Sequence, residues 1–332
     1  MKRAAALVSL GLIVLILTGL ILMKWCGNPA GSGKDCIFTV ERGWGVRQIA
    51  EALSDSGLVR SPVYFLWRYS QAHDSPSLQA GIYHLTDCMS PDSILRILAT
   101  GDVIPVETSW VTLAPALTLE RSLDIFTDSL GFSRTLLDSL ARDSSFLLSL
   151  NLTTLEGYLF PETYEFADSL MAEQVLRRIV ETGISRWPAD RAELLESSGL
   201  SVHETIILAS IVEREAKIDS ERAVISGIFL SRMRRGMKLE SCATVQYAIG
   251  EVREVLLYRD LEIDSPYNTY RITGLPPGPI CSPGESSISA AFRPDTISGY
   301  LYFVSMEDGS GRHLFANTHA GHLANIRSLP DR

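Results

Sequence analysis

The chain has 332 residues, of which 46% are hydrophobic and 21% are charged, a composition typical of a globular protein. Its formal net charge at pH 7 is −9, and the basic residues are scattered along the sequence. A nucleic-acid-binding protein needs a basic surface to contact phosphates, so this function class is excluded. The length allows two folded domains beside any membrane anchor.

The N-terminal segment predicts a membrane anchor. Lys2 and Arg3 precede an uncharged, mostly apolar run from Ala4 to Met23. About 20 residues, at about 1.5 Å each, span the roughly 30 Å hydrocarbon core of a bilayer. The alternative is a cleaved signal peptide, but no small-residue cleavage site follows. We therefore expect a single-pass helix within residues 1–26, in the cell (inner) membrane. The positive-inside rule places the rest of the chain outside the cytoplasm.

The five cysteines include no C-x-x-C pair, so neither a zinc site nor a redox motif is predicted. Cys36 and Cys88 fall within one small predicted domain. The sequence leaves open whether they form a disulfide.

Hydrophobic periodicity and turn signals divide the rest of the chain into a linker at 27–35, a small domain at 36–105 and a larger domain at 106–332. In the small domain we predict strands at Cys36–Val40 and Ala80–Leu85, and helices at Gly45–Ser54, Ser61–Ser70 and Pro91–Leu98. In the larger domain we predict a strand at Val106–Leu113, loop and strand at Gly157–Phe166, and helices near 119–129, 134–150, 168–187, 202–217, 221–235 and 285–292. The predicted fold class is α+β: one transmembrane helix, a small α+β domain and a larger mixed α/β domain.

The helix predicted after Ser201 carries two glutamates in unlike positions. Ser201 and Glu204 form a capping box that specifies its start. At about 100° per residue, Glu215 continues the apolar face of the helix. Glu213 points elsewhere, four residues before Lys217, as a solvated partner of that lysine would.

A carboxyl group partly withdrawn from water has a raised pKa, which suits a general acid near neutral pH. The sequence therefore makes Glu215 the candidate acid. The alternative is an exposed carboxylate at the polar end of a helix.

Two other segments combine aromatic rings with acids, amides and hydroxyls, as sugar-binding clefts do. They are Glu156–Tyr164 and Tyr267–Tyr270. Taken singly, each of these aromatic residues could belong to a core or a turn. The Pro/Gly-rich stretch Gly274–Ile280 is conformationally restricted, so we expect it to build a fixed loop wall.

These segments, together with Ala209–Glu215, Gly236–Gln246 and the C-terminal residues Tyr302–Val304, His313 and His322, resemble the YceG-like family of MltG-type endolytic murein transglycosylases. The resemblance extends from about residue 36 to the C-terminus. It implies a LysM-like domain at 36–105 and a catalytic domain at 106–332. It also implies that Glu215 is the catalytic residue. The candidate substrate-binding residues are Glu156, Glu162, Tyr164, Gln246, Tyr267, Asn268 and Thr269.

The chemistry implied by the resemblance is lytic and needs neither a metal nor a cofactor. The acid protonates the glycosidic oxygen between MurNAc and GlcNAc, and the MurNAc C6 hydroxyl then closes onto C1 to give a 1,6-anhydro end. The implied substrate is nascent peptidoglycan glycan strands. The implied protein partners are penicillin-binding peptidoglycan synthases.

Two positions depart from the family pattern. Cys242 stands where an aspartate is usual. If that aspartate orders the cleft or binds substrate in the family, its absence puts activity in doubt or shifts that role to Glu240. Leu323 follows His322 where an asparagine is usual. Two other functions therefore remain open. One is a catalytically degenerate glycan-binding scaffold of the cell-wall synthesis machinery. The other is a muramidase that uses water, with Glu156 or Glu162 as its second carboxylate.

Overall fold

The computed structural model describes residues 2–31, 33–72, 76–105, 107–251, 253 and 256–329, and no side chain of residues 2–10 and 12. The chain divides into two units, Met1–Val106 and Glu107–Arg332. Each unit has its own cluster of buried apolar side chains. The start that we predicted for a strand at Val106 lies outside the described residues.

Helix α1 runs from Lys2 to Gly27. Among the residues that the structure describes, no helix combines the length and apolar character needed to cross a membrane. For the described part of the chain, the predicted transmembrane helix is therefore wrong.

The first unit packs three helices against a two-stranded sheet. Its elements follow α1 in the order β1 (Asp35–Val40), α2 (Val46–Asp55), α3 (Pro62–Gln71), β2 (Gly81–Thr86) and α4 (Pro91–Thr100). β1 and β2 are antiparallel, with Cys36 opposite Leu85. Ser61 and Ser90 cap α3 and α4, each followed by a proline at the first helical position. Cys36 and Cys88 are both free thiols. The LysM-like assignment stays a prediction.

The second unit is mostly helical, with two antiparallel strand pairs, β3–β4 and β5–β6. Its elements are β3 (Thr108–Thr112), α5 (Leu119–Leu130), α6 (Arg134–Arg142), α7 (Ser144–Ser149), β4 (Thr163–Ala167), α8 (Ala172–Ser185), α9 (Arg191–Ser198), α10 (Val202–Glu215), α11 (Asp219–Arg234), α12 (Cys242–Ile249), a 3₁₀ helix at Tyr258–Glu262, α13 (Glu285–Phe292), β5 (Tyr302–Ser305), β6 (His313–Ala316) and α14 (His319–Ser328). The α+β class is confirmed.

Helix α10 lies at the centre of this unit. It packs against α11, α12 and α13, and every residue from Thr205 to Val212 is buried. Its polar members are satisfied locally: the hydroxyls of Thr205 and Ser210 donate to the backbone carbonyls of Ser201 and Ile207. The single apolar stripe that we predicted is therefore wrong, because α10 is surrounded on all sides rather than packed on one.

The sequence-based boundaries differ from the observed ones where side chains cap helices. The helical segment predicted at 134–150 divides at Asp143, whose carboxylate accepts hydrogen bonds from the backbone of Ser145 and Phe146 and starts α7. Helices α9, α12 and α14 were not predicted. α12 is the most consequential of the three, because it begins beside Glu215.

Candidate active site

Glu215 is the last residue of α10, and its carboxyl group meets the start of α12. The Ser241 hydroxyl donates a hydrogen bond to Oε1 of Glu215. Burial raises the pKa of the Glu215 carboxyl. The Ser241 hydroxyl, the backbone N–H of Ala243 and the nearby charges of His313 and Arg214 oppose that shift without cancelling it. The group is thus biased towards the neutral acid, the form that donates a proton.

Glu213, two residues earlier, is held differently. Its Oε2 accepts the Gly284 backbone N–H at 2.9 Å, and its Oε1 lies 3.4 Å from a guanidinium nitrogen of Arg222. The side chains of Glu213 and Arg222 are only 8% and 13% exposed. The predicted role of Glu213 as a solvated partner of Lys217 is therefore wrong. Glu213 instead ties α10 to α11 and to the start of α13.

A cavity of about 560 Å³ is lined by Arg214 and Ala243, which neighbour Glu215 in the sequence and in its hydrogen bonding, and by a second carboxyl group with a raised pKa, that of Glu156. Glu215 itself does not line it. Both oxygens of Glu156 accept the Leu119 backbone N–H, at 3.0 and 3.1 Å, and the Tyr247 hydroxyl donates to Oε2 at 3.2 Å. Burial raises the pKa of Glu156 to about 7, although these hydrogen bonds favour its ionised form.

The other cavity walls suit a polar ligand with apolar faces. Gln246 lines the cavity and accepts a hydrogen bond from Arg214 at 3.3 Å. Tyr247 also lines it, and its ring packs against that of Tyr267 with centroids 4.8 Å apart. An aromatic surface beside amide, guanidinium and carboxyl groups can stack on a sugar ring and bond to its hydroxyls. Three of the predicted binding residues, Glu156, Gln246 and Tyr267, thus lie close together.

The remaining predicted binding residues do not line the cavity. Asn268 is fully buried; its amide donates to the carbonyls of Leu261 and Ile263, and its Oδ1 accepts the Tyr270 N–H. Thr269 is also fully buried, behind Ser241. The Tyr164 hydroxyl donates to the Phe160 carbonyl within the core. The Glu162 carboxylate pairs with Arg186 at 3.2 Å. Their assignment to substrate binding stays a prediction.

A cluster on the other side of Ser241 joins the segment before α12 to the C-terminal elements. The Arg232 guanidinium bonds to the carbonyls of Leu239 and Leu301 and to the Glu240 carboxylate, and lies over the Tyr302 ring. Tyr302 stacks on His322, with ring centroids 5.4 Å apart. Burial lowers the pKa of His322. These contacts fix the strained segment at Glu240, whose φ is 54°.

His313 of β6 forms another fixed pair near Glu215. Its Nδ1 lies 2.7 Å from Glu221 Oε2, and its backbone N–H donates to Oε1 of the same glutamate. In the part of the chain that the structure describes, no group of three or more His, Cys, Asp or Glu side chains is placed to hold a metal ion.

Sequence reasoning gave no role to Ser241, Arg214 or Tyr247. A signal for Ser241 was present, since a serine immediately before a short apolar run is a helix-start signal.

The comparisons with known proteins agree on one family. A sequence model of the YceG-like family matches residues 38–328. The endolytic murein transglycosylase of Bacillus subtilis (strain 168) is 32% identical over 290 residues, which cover 81% of this chain and 78% of that protein. The endolytic murein transglycosylase of Streptococcus pneumoniae serotype 2 (strain D39) is 30% identical; the match covers 90% of this chain, which spans 59% of that longer protein. The crystal structure of a yceG-like protein from Listeria monocytogenes superposes with a TM-score of 0.58 at 29% identity, covering 88% of this chain and 99% of that one.

Proposed function

This chain belongs to the YceG-like family, and from that membership and the surroundings of Glu215 we propose that it is an endolytic murein transglycosylase. The substrate is the glycan strand of peptidoglycan, cut within the strand between MurNAc and GlcNAc. The observation that carries the proposal is the carboxyl group of Glu215. It ends a buried helix, has a raised pKa and receives its hydrogen bonds from a neutral hydroxyl and a backbone N–H.

Glu215 acts first as acid and then as base. Its proton passes to the glycosidic oxygen as the bond from that oxygen to MurNAc C1 breaks, and the GlcNAc hydroxyl leaves. The resulting carboxylate takes the proton of the MurNAc C6 hydroxyl, whose oxygen bonds to C1 and closes a 1,6-anhydro ring. The proton lost in the first step returns in the second, so one carboxyl group completes the cycle.

The cavity containing Glu156, Gln246 and Tyr247 supports a binding role beside this reaction. A strand extending from Glu215 into that cavity would place a sugar ring against Tyr247, with Gln246 and Arg214 near its hydroxyl and acetamido groups. The proposal needs no second carboxylate at the scissile bond, which distinguishes it from hydrolysis by water.

The products released from uncrosslinked glycan strands test the proposal. We expect the wild-type chain to yield ends carrying 1,6-anhydroMurNAc, identified by mass spectrometry of the muropeptides. Glu215→Gln preserves the shape of the neutral acid but cannot donate a proton. It should lower the cleavage rate by about a hundredfold to ten-thousandfold.

Glu193→Gln is the matched control, because Glu193 is an exposed glutamate on α9. It should cut like wild type. Reducing MurNAc ends would overturn the lytic mechanism in favour of a muramidase. If the wild-type chain binds strands but cuts none, the protein is a glycan-binding scaffold, and Cys242 in place of the usual aspartate would be the first position to restore.

The proposal extends to location and partners. Peptidoglycan lies outside the cytoplasm, so the second unit would act there on nascent strands, beside the penicillin-binding synthases that make them. Crosslinking in cells followed by affinity purification of this chain tests the association. Recovery of such a synthase with wild type and with Glu215→Gln would support it, and recovery with neither would remove it.

A further inference from the structure

Ser241 occupies the N-cap of α12 but does not cap it. An N-cap serine ordinarily accepts a hydrogen bond from a backbone N–H in the first turn of its helix. Ser201 does this at the start of α10, where its hydroxyl accepts the Glu204 N–H. The Ser241 side chain makes no capping bond in α12. Its hydroxyl proton instead goes to Oε1 of Glu215.

Two threonines hold the backbone of Ser241 from behind. The Thr244 hydroxyl donates to the Ser241 carbonyl at 2.8 Å, and the Ser241 N–H donates to Oγ1 of Thr269 at 3.0 Å. The two threonine hydroxyls lie 2.8 Å apart. Since Thr244 has already used its only proton, Thr269 must donate in this last contact.

The three bonds form a closed ring with a single direction. It runs from the Ser241 N–H to the Thr269 hydroxyl, from there to the Thr244 hydroxyl, and back to the Ser241 carbonyl. Ser241 is 2% exposed, and Thr244 and Thr269 are fully buried. Moving Ser241 would leave buried polar groups without partners, which is costly away from water. The backbone that carries the Ser241 hydroxyl is therefore fixed in position against Glu215.

We propose that Ser241 is a positioning residue for Glu215, fixing which carboxyl oxygen exchanges the proton with the substrate. Because Oε1 accepts the Ser241 hydroxyl, the neutral acid carries its proton on Oε2. Oε2 donates that proton to the glycosidic oxygen and later accepts the proton of the C6 hydroxyl. This inference rests on the proposed role of Glu215.

The same hydrogen bond also opposes the rise in the pKa of Glu215. A hydroxyl donates more strongly to a carboxylate than to a neutral carboxyl group, so Ser241 favours the charged form that appears after the first proton transfer. Without the hydroxyl, Glu215 would hold its proton to higher pH. The other titratable or charged groups that interact with Glu215 are Arg214 on α10, Cys242 on α12, Tyr270 in the following loop and His313 on β6. All four are retained when Ser241 is replaced.

The test compares the pH dependence of kcat/KM for strand cleavage in wild type, Ser241→Ala and Ser241→Thr. We expect Ser241→Ala to lower the maximum roughly tenfold to a hundredfold, mainly through kcat, and to move the alkaline limb to higher pH. Ser241→Thr keeps the hydroxyl and should restore the position of that limb. Ser201→Ala is the matched control: it removes a serine from the other end of α10 and should leave the limb in place.

A direct titration separates this inference from the proposed function. NMR with glutamate labelled at the carboxyl carbon follows Glu215 without substrate, with Glu215→Gln assigning its signal. A higher pKa in Ser241→Ala than in wild type is the expected result, and equal pKa values would overturn the inference. If Glu215→Gln still cuts strands, the proposed function fails, whatever the titration shows. If Glu215→Gln is inactive while Ser241→Ala keeps the wild-type pH profile, only the role of Ser241 fails.

Discussion

Two glutamates separated by a single residue on α10 show how surroundings decide the behaviour of a carboxyl group. Glu213 is buried against Arg222 and the Gly284 N–H, so its charge is compensated where it lies. Glu215 is bonded to the neutral hydroxyl of Ser241, and burial raises its pKa. One carboxylate holds three helices together, and the other is available for proton transfer. Burial raises the pKa of Glu156 as well, because among the described residues no cation lies against it to compensate a charge.

The raised pKa of Glu156 should appear in the pH dependence of stability. Between the ordinary glutamate value of 4.5 and about 7, the folded state keeps a proton that the unfolded state has lost. Stability should therefore fall as pH rises through this window, by about 3 kcal/mol in total. Glu156→Gln has no such proton to lose. Its free energy of unfolding relative to wild type should rise by about 3 kcal/mol between about pH 4 and about pH 8.5. Urea unfolding at both pH values measures this; parallel curves for the two proteins would contradict it.

At the scale of elements, the loops around α10 are as constrained as the helix itself. Gly157 has a φ of +85°, and a Cβ built there would lie 2.4 Å from Cβ of Pro279 and 3.3 Å from a methyl of Ile206. The segment carrying Glu156 is thus pressed against the Pro/Gly-rich stretch Gly274–Ile280, whose last residue lines the cavity. Two irregular segments form one fixed wall because a glycine lets their backbones meet.

Gly157→Ala should therefore be destabilising for two reasons, backbone strain and collision with a proline ring that cannot swing aside. We expect a loss of about 2 to 5 kcal/mol in the free energy of unfolding. Gly131→Ala is the matched control, because its φ is +69° but nothing lies within 4 Å of its added Cβ. It should lose only the strain, about 1 to 2 kcal/mol. Urea unfolding followed by tryptophan fluorescence compares the two variants. Equal losses in the free energy of unfolding would mean that the Pro279 segment moves aside for the added Cβ.

Periodicity and capping signals were sufficient to find most helices, including the capping box at Ser201 that begins α10. They failed where tertiary structure overrides the pattern. The continuous burial of α10 cannot be read from a period of 3.6, because Thr205 and Ser210 look polar until their hydroxyls turn onto the backbone. The start of α12 was missed although a serine precedes its short apolar run; that the serine hydroxyl contacts α10 instead of capping α12 appears only in the fold. Glu215 became the candidate acid through its place on α10 together with the family resemblance, whereas its contact with Ser241, 26 residues away, needed the fold.

At the scale of the whole chain, the two units have separate cores. The buried cluster of the first unit runs from Phe38 to Leu98, and that of the second from Val111 to Phe292. Each cluster excludes water from its own apolar residues. The proposed acid, its positioning serine and the cavity with Glu156 all belong to the second unit.

A chain consisting of residues 107–332 should therefore fold independently. We expect a single cooperative urea transition, a near-ultraviolet circular dichroism spectrum with ordered aromatic signals, and cleavage of soluble glycan strands that depends on Glu215. A broad transition or a featureless near-ultraviolet spectrum would show that the second unit depends on the first for its packing.

Cys242 offers a practical consequence of the departure from the family pattern. Cys242 is an exposed residue at the start of α12, with its sulfur 3.2 Å from the Tyr270 hydroxyl; partial burial of the thiol and then the charge of Glu215 raise its pKa. Cys26 and Cys281 are buried, while Cys88 lies in the other unit. Replacing Cys36 and Cys88 by serine would leave Cys242 as the one accessible thiol among the cysteines, next to the proposed acid. Disulfide tethering of small fragments to that thiol would then select fragments that bind in the cleft. The cysteine that first cast doubt on the activity would thus serve as an attachment point for finding inhibitors.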